Sequence, residues 1–205
     1  MLDAGCGTGG LLTKLAQRSP KAFLYGLDVE SVACRFARDK SGAAVVQGSA
    51  DSLPFPDGAL SAIFSVDVLC HRAVDQQAAM AEAHRCLGPG GLFLINLPAF
   101  EWMRSDHDER VHTARRYTKS DVHALLRQAG FGEVRAFYWN SLLFPIMVLR
   151  RKLFRPRHGE SDVRDYPPLV DGLFRLVTGI ERAALGLGLR LPFGGSVLAV
   201  AVKHG

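Results

Sequence analysis

A glycine-dense turn lies between an apolar segment and a helical pattern at the start of the sequence. Gly5, Gly7, Gly9 and Gly10 directly follow the segment 1–4, and apolar residues then recur at helical spacing at Leu11, Leu12, Leu15 and Ala16. Glycine adopts backbone conformations that are closed to residues with a Cβ atom, and it lets a ligand touch the main chain. The pattern therefore predicts a strand, a tight turn of phosphate or cofactor size, and a helix.

A carboxylate closes the next apolar run. Residues 22–27 are Ala-Phe-Leu-Tyr-Gly-Leu, and Asp28 follows them, eighteen residues after Gly10. In folds with a glycine turn of this kind, a carboxylate at the tip of the second strand binds the hydroxyls of a ribose. The first thirty residues thus predict half of a nucleoside-binding site.

Which nucleoside binds is decided by later segments, because Gly5, Gly7 and Gly10 also satisfy the G-x-G-x-x-G pattern of dinucleotide-binding proteins. The segment 48–58 contains Leu-Pro-Phe, the apolar run 59–68 follows it, and Leu-Gly-Pro-Gly-Gly at 87–91 precedes a further apolar run at 92–97. Together with Leu-Asp-Ala-Gly-Cys-Gly-Thr-Gly at 2–9, these segments resemble the class I S-adenosylmethionine-dependent methyltransferases, in particular the small-molecule, methyltransferase type 11-like group. The resemblance covers residues 1–140 and resumes at the last strand.

The alternation of strand and helix patterns favours an α/β fold. The resemblance implies a single methyltransferase domain over 1–205, Rossmann-like, with a mostly parallel seven-stranded sheet, helices on both faces and an antiparallel C-terminal strand. A helix is predicted over 75–87, and the capping box at 118–121 begins another that ends at Gly130. The last two strands are expected at 133–139 and 196–203. A helical insertion, 141–192, separates them, and the N-terminal helix of the family is expected to be missing.

The resemblance also implies a set of residues that bind S-adenosylmethionine. Asp3 would orient the methionine end, the glycine backbone would let the cofactor pass, and Asp28 would accept hydrogen bonds from both ribose hydroxyls. Ser49 and Ala50 would contact the adenine edge, and Ser65 ends the fourth strand beside the cofactor. The predicted cofactor-binding residues are Asp3, Gly5, Gly7, Gly9, Asp28, Ser49, Ala50 and Ser65.

Candidate acceptor-side residues follow strands four and five, where ligands bind in parallel sheets. His71 is a substrate-binding candidate. The segment 98–117 is twenty residues without strong periodicity, a length typical of lids and binding loops. Its catalytic candidates are His107, His112 and Tyr117, and its substrate-binding candidates are Arg115 and Arg116, whose forked guanidinium groups suit a carboxylate or phosphate. The alternative is a surface loop whose charges pair with one another.

A metal is not expected. The residues Asp106, His107, Asp108 and His112 match no standard metal-ligand spacing, and methyl transfer of this kind needs no metal.

The insertion 141–192 combines apolar and basic sequence. An apolar stretch at 142–149 is followed by a basic cluster within eight residues, and 169–191 is a second helical stretch rich in leucine. The cluster consists of Arg150, Arg151, Lys152, Arg155 and Arg157. This combination suits peripheral contact with an anionic membrane or a hydrophobic acceptor. A helical cap packed on the edge of the sheet, or a dimer surface, is the slightly favoured alternative, because leucine-rich amphipathic stretches are most often core.

The sequence-level prediction is an S-adenosylmethionine-dependent methyltransferase that acts on a small or lipid-like acceptor. The alternatives are a nicotinamide-dependent oxidoreductase and a catalytically silent nucleoside-binding partner subunit. The four cysteines include no C-x-x-C pair, which indicates free thiols. The sequence shows no signal segment and no long apolar run, so the expected location is cytoplasmic. The protein would be peripheral to the membrane if the insertion binds it. No nucleic-acid partner is expected, because the basic residues adjoin apolar sequence rather than aromatics. The oligomeric state stays open.

Overall fold

A computed structural model of the chain describes residues 1–153 and 168–205. Arg155 and Arg157 of the predicted basic cluster lie outside the described residues. The strands are β1 Leu2–Ala4, β2 Tyr25–Asp28, β3 Ala44–Gln47, β4 Leu60–Val66, β5 Leu87–Pro98, β6 Val134–Trp139 and β7 Ser196–Val202. The helices are α1 Gly10–Arg18, α2 Ser31–Ser41, α3 Gln76–Cys86, α4 Asp106–Arg110, α5 Lys119–Gln128, α6 Phe144–Leu153 and α7 Pro168–Gly186.

The strands form one sheet of seven in the order β3-β2-β1-β4-β5-β7-β6. The first five strands are parallel to one another, and β7 is antiparallel to both β5 and β6. The prediction of a mostly parallel, seven-stranded sheet with an antiparallel C-terminal strand is therefore confirmed. The chain runs outward from β1 to β3 and then returns to add β4 on the other side of β1. Ligands bind such sheets where the direction reverses, at the carboxyl ends of β1 and β4.

Side-chain caps fix the start of two predicted helices. The Asp75 carboxylate accepts hydrogen bonds from the N–H groups of Gln77 and Ala78 at the start of α3. At the start of α5, Thr118 and Asp121 form a reciprocal capping box. Both caps satisfy N–H groups that have no partner within the helix, so the predicted starts of these helices are confirmed.

Two strand boundaries differ from the sequence-based prediction. β5 begins at Leu87 rather than residue 92, because Leu87 pairs with Leu60 and the register shifts before Ala62 pairs with Leu92. The Gly-Pro-Gly-Gly segment is thus an irregularity within a strand rather than a stop between elements. β2 begins at Tyr25 rather than at residue 22, because Tyr25 is the first residue of the run that pairs with β1, opposite Leu2.

The centre of the sheet is buried in a strict two-residue period. Phe93, Ile95 and Leu97 of β5 and Val197, Ala199 and Ala201 of β7 are each at most 1% exposed. This core holds the loops at the carboxyl end of β5. All four cysteines are free and buried, as their spacing predicted.

The insertion 141–192 contributes α6 and α7 and is closed at its base. The Ser141 hydroxyl donates to the carbonyl of Phe193 at 2.6 Å, and the N–H of Ser141 donates to the Glu181 carboxylate of α7 at 2.7 Å. α7 ends at Gly186, five residues before the end of the predicted stretch. Within the described part of the chain, the helices fall short of the length and hydropathy that crossing a membrane requires.

Candidate active site

The glycine turn after β1 is packed on one side and open on the other. The N–H groups of Gly5 and Cys6 both donate to the carbonyl of Leu27, at 2.7 and 3.0 Å, which ties the turn to β2. A Cβ atom on Gly5 would lie 2.1 Å from Cγ2 of Val68, whereas one on Gly7 would meet no atom within 4 Å. Both glycines have positive φ, 87° and 50°. The turn therefore leaves free space above the backbone of Gly7.

Asp28 lies at the end of β2 beside this space. Its carboxylate accepts hydrogen bonds from the N–H groups of Gly7, at 2.8 Å, and Glu30, at 3.0 Å. A carboxylate has about four acceptor sites, so two remain after these bonds. The half-buried carboxylate can therefore accept from the two hydroxyls of a ribose while its position is fixed by the turn.

Asp3 of β1 is the second carboxylate of the site. Its residue is 2% exposed, and burial, followed by the charge of Asp28, raises the pKa of its carboxyl to about 7. A buried carboxyl of this kind is stabilised in its charged form by a nearby cation. The amino group or sulfonium of a cofactor is a group that would supply it.

The remaining predicted cofactor residues surround the same edge of the sheet. Ser49 and Ala50 follow β3, the first half-buried and the second buried. Ser65 of β4 is 1% exposed, and its hydroxyl has no hydrogen-bond partner within the part of the chain that the structure describes. A buried hydroxyl without a partner is unusual, and the free space at Gly7 together with these groups fits a nucleoside-containing cofactor.

A polar pair at the ends of β4 and β5 was only partly anticipated. The N–H of Asp67 donates to the carbonyl of Asn96, and the Asn96 side chain donates to the Asp67 carboxylate, both at 2.9 Å. Asp67 also has a positive φ of 58°. The sequence contained a signal for Asn96, since it is the one amide side chain in the apolar run 92–97.

The segment 98–117 contains ordered helices and backbone pairing rather than an irregular lid. It includes a 3-10 helix, Glu101–Met103, and α4. Its end pairs back on the sheet, because Ala99 bridges Tyr117 and His71 bridges Thr113. The Arg104 guanidinium donates to the carbonyls of Thr113 and Ala114, at 3.2 and 2.7 Å. These contacts fix the segment over the end of β5.

Arg116, a predicted acceptor-binding residue, is buried and paired. Its Nε and NH2 groups lie 2.9 and 2.8 Å from Oδ1 of Asp108, and its NH1 donates to the carbonyl of Ala99 at 3.0 Å. Arg151 of α6 approaches Asp108 at 3.8 Å and donates to the carbonyl of Met103 at 2.7 Å. The Arg116 guanidinium thus joins the segment 98–117 internally, and Arg151 joins that segment to the insertion.

The other acceptor-side candidates differ in exposure. Arg115 is exposed, with its guanidinium carbon 4.6 Å from the ring centre of Tyr117. Tyr117 is 1% exposed, and its hydroxyl accepts from the Gln76 amide at 2.8 Å and donates to the carbonyl of Leu69 at 3.4 Å. Burial raises the pKa of this phenol.

The histidine candidates also differ, since His112 is exposed and His107 is half-buried. The backbone bridge to Thr113 brings His71 beside the His112 segment, so His71 and His112 approach one edge of the site.

An aromatic cluster continues from the end of β5 to the insertion. Phe100 stacks on Trp102 and Tyr138, with ring centres 5.8 and 5.0 Å apart, and Phe144 of α6 lies 5.6 Å from Phe100. Trp102 is 51% exposed. The cluster forms a partly exposed apolar surface between the carboxyl end of β5 and α6.

The fold is Rossmann-like, and the carboxyl ends of β1, β2 and β4 form a candidate site for a nucleoside. Comparison with known proteins agrees. Residues 2–95 match the family model described as "Methyltransferase domain". A malonyl-[acyl-carrier protein] O-methyltransferase of Geobacter sulfurreducens is 31% identical over 153 residues, 67% of this chain and 57% of that protein. A fatty-acid O-methyltransferase of Mycolicibacterium smegmatis is 37% identical over 97 residues, 46% of this chain and 35% of that protein.

Solved structures share the fold. A phosphoethanolamine N-methyltransferase 2 of Haemonchus contortus, in complex with S-adenosyl-L-methionine, matches 100% of this chain and 48% of its own with a TM-score of 0.66 and 15% identity. The match over residues 2–95 and the shared fold support a class I S-adenosylmethionine-dependent methyltransferase. It spans between about a third and just over half of the length of the two curated relatives.

Proposed function

We propose that this chain binds S-adenosylmethionine and transfers its methyl group to a small or lipid-like acceptor. The observation that carries the proposal is the pair of neighbouring carboxylates, Asp3 and Asp28, of which Asp28 is held beside the open space at Gly7 by the N–H of Gly7 at 2.8 Å. The match to the family model supports the same cofactor. The relatives' printed names, which include malonyl-[acyl-carrier protein] and fatty-acid O-methyltransferases, support an acyl or similarly apolar acceptor.

Each residue at the cofactor edge has a proposed task. Asp28 accepts from the ribose hydroxyls, and Asp3 faces the cationic methionine end. The glycine backbone at residues 5, 7 and 9 lets the cofactor approach the main chain, Ser49 and Ala50 border the adenine, and Ser65 supplies a hydroxyl. The bound cofactor supplies an electrophilic methyl group. The protein then contributes mainly by holding an acceptor in line with that group.

On the acceptor side, we assign the wall of the site to the segment 98–117 and to His71. Arg115 remains a candidate for contact with an acceptor, whereas the contacts of Arg116 favour a structural role in the same segment. Tyr117 is buried, so we assign it to positioning the segment through Gln76 and Leu69. His107 and His112 are candidate bases, and His71, which is held beside the same segment by its bridge to Thr113, is a third.

Binding of S-adenosylhomocysteine or of NADH distinguishes this proposal from its rivals. Calorimetry with S-adenosylhomocysteine and with NADH in parallel should give binding of the first alone. Binding of NADH alone would favour a nicotinamide-dependent oxidoreductase. Binding of S-adenosylhomocysteine without methyl transfer to any acceptor would favour a silent partner subunit.

We also propose that the insertion 141–192 rests on an anionic membrane surface. Leu173, Leu176 and Ile180 of α7 are between 53% and 60% exposed and share one face of the helix. The insertion has nine Lys and Arg residues against five Asp and Glu, and one of those acids, Glu181, is buried. Apolar helix faces beside basic residues are typical of peripheral membrane contact. The protein would then be cytoplasmic and peripheral to the membrane.

Vesicle sedimentation tests this second proposal. The protein should sediment with vesicles of phosphatidylserine and phosphatidylcholine at low salt, but not with phosphatidylcholine alone. Changing both Leu176 and Ile180 to Asp should release it. The matched control changes Val32 and Phe36, on the exposed face of α2, to Asp, and this variant should still sediment with the vesicles. If the α7 variant sediments as the wild type does, the exposed apolar face of α7 does not bind the membrane and contacts something else.

A further inference from the structure

A strained polar residue lies at the end of β4, on the acceptor side of the glycine turn. Asp67 has a φ of 58°, a left-handed conformation that is costly for a residue with a Cβ atom. The reciprocal hydrogen bonds with Asn96, both 2.9 Å, hold it there. Strain of this kind persists where the surrounding structure fixes a side chain for a task, and here it fixes the Asp67 carboxylate at the edge between β4 and β5.

His71 follows four residues later in a segment that is also fixed. Its N–H donates to the carbonyl of Val68 at 3.0 Å, and Val68 is the residue that packs over Gly5. On the other side, the N–H of Ala114 donates to the carbonyl of Cys70 at 2.7 Å. The half-buried His71 is therefore held between the cofactor turn and the segment 98–117.

His71 follows Asp67 by four residues, and its charge acts on the Asp67 carboxyl. Although Asp67 is an exposed residue, surrounding protein atoms reduce the hydration of its carboxyl and raise its pKa. The hydrogen bond from Asn96 and the charges of His71 and Arg116 oppose that rise. Arg116 already pairs with Asp108 at 2.8 Å, so His71 is the neighbour whose charge can change during a reaction.

We propose that His71 is the general base of the methyl transfer, that Asp67 is its positioning residue, and that the acceptor nucleophile is a hydroxyl, either phenolic or alcoholic. This inference rests on the proposed function. The acceptor oxygen forms a bond to the methyl carbon as the bond between carbon and sulfur breaks, and both electrons of the broken bond remain on sulfur. The hydroxyl proton passes to the imidazole of His71, which becomes a cation beside the Asp67 carboxylate.

The alternative acceptor group, a carboxylate, fits these residues less well. A carboxylate is already ionised at neutral pH and needs no base, but it needs a cation to bind it. Arg116, which the sequence offered for that purpose, gives its guanidinium to Asp108 and to the carbonyl of Ala99. Of the two arginines that the sequence offered, Arg115 is left for a carboxylate, but it is exposed and lies over the ring of Tyr117, 4.6 Å from its centre. The fixed histidine therefore favours a hydroxyl acceptor.

A matched pair of acceptors tests the acceptor class. The probes para-octylphenol and para-octylbenzoate share one apolar tail and differ in the nucleophile. The wild-type protein should form the methyl ether of the phenol, measured by mass spectrometry, and leave the benzoate unchanged. Methylation of the benzoate alone, or of neither probe, would overturn the assignment.

Variants of the two residues test their roles. With the phenol at neutral pH, His71→Asn should lower kcat by about 100-fold with little change in KM, since general base catalysis contributes 10²–10⁴-fold. The loss should disappear as the pH approaches about 10, where the phenol ionises without a base. Asp67→Asn should change kcat in the same direction by a smaller factor. A loss that does not depend on pH indicates a structural role and overturns the inference. His123→Asn, on the exposed surface of α5, is the control.

Two measurements without turnover complete the test. His71→Asn should bind S-adenosylhomocysteine with wild-type affinity, because the residue lies on the acceptor side. If the wild-type protein itself does not bind, the proposed function fails rather than this inference. The carboxyl NMR titration of Asp67 should move to a higher pKa in His71→Asn, since the His71 charge lowers it. An unchanged titration would show that the two groups are uncoupled and would overturn the assignment of Asp67.

Discussion

Arg116 and Asp108 form a buried ion pair inside the segment that covers the end of β5. Their side chains are 5% and 2% exposed, and NH2 of Arg116 lies 2.8 Å from Oδ1 of Asp108. Burial alone would raise the pKa of Asp108, but the hydrogen bonds from Arg116 and Ser105 and the charges of Arg116 and Arg151 hold it below its ordinary value. The pair therefore makes folding of this segment depend on an ionised carboxylate.

Removing one partner of this pair should be costly. We expect Arg116→Ala to lower the free energy of unfolding by about 3–5 kcal/mol, because it leaves a charge buried without its partner. Urea denaturation measures the change, and Arg135→Ala, which removes an exposed arginine, is the control. A loss as small as that of the control would show that solvent reaches Asp108.

The pH dependence of this pair follows from the lowered pKa of Asp108. A depressed folded-state pKa contributes stability above the unfolded value, and that stability is lost as the pH falls through the folded value. Wild-type stability should therefore fall in acid more steeply than that of Asp108→Asn. Denaturation midpoints measured between neutral and acid pH test this, and parallel curves would contradict it.

The contribution of Asp3 to folding stability depends on pH in the opposite direction from that of Asp108. Its pKa is raised to about 7 by burial and by Asp28, so its neutral form stabilises the fold at low pH, and that contribution declines as the pH rises from the unfolded value through about 7. In this range the free energy of unfolding should fall by at most about 1.4 kcal/mol per pH unit because of Asp3, and this fall should be absent in Asp3→Asn. Cofactor binding near pH 7 should also release a proton, which calorimetry in buffers of different ionisation enthalpy detects. Equal heats in all buffers would contradict the assignment of Asp3.

Asp28→Ala should weaken the binding of S-adenosylhomocysteine at least tenfold. Hydrogen bonds to a charged group contribute about 1.5–3 kcal/mol, and the ribose would lose its charged acceptor. Asp171→Ala, which removes an exposed carboxylate of α7, is the matched control. Calorimetry is the measurement, with circular dichroism to confirm folding. Wild-type affinity in a folded Asp28→Ala protein would exclude the ribose assignment.

Two glycines of the turn should respond differently to alanine. Gly5→Ala places a Cβ atom 2.1 Å from Val68 at a positive φ, so the protein should lose stability. Gly7→Ala meets no protein atom, so folding should suffer only the cost of its positive φ, about 1–2 kcal/mol, while cofactor binding should be blocked. Thermal melting and calorimetry separate the two effects. Normal cofactor binding by Gly7→Ala would place the ligand elsewhere.

Local chemistry made much of the fold predictable. The glycine turn, the Asp75 cap and the Thr118 capping box each act within a few residues, and the sequence located all three. The register irregularity at residues 87–92 depends on the partner strand β4, which a local pattern does not reveal. For the same reason, the extra length of β5 could not be predicted.

The acceptor side was less predictable because its groups meet through long-range contacts. The basic residues of the segment 98–117 indicated a ligand, yet Arg116 pairs with Asp108 of the same segment. Asn96 lies twenty-nine residues from Asp67, and only the pairing of β4 with β5 brings them together. Charge and residue type identified candidates, and the sheet determined which of them meet.

The closed base of the insertion has a consequence for how this part of the chain can vary. Because the Ser141 hydroxyl and the Phe193 carbonyl are 2.6 Å apart, the two ends of 141–192 leave and rejoin the sheet at nearly one point. Helices of different length or surface can be exchanged there without altering the spacing of β6 and β7. Evolution, or an engineer, can thus replace the helices of 141–192 as a cassette while the edge of the sheet that carries Asp3 and Asp28 stays intact.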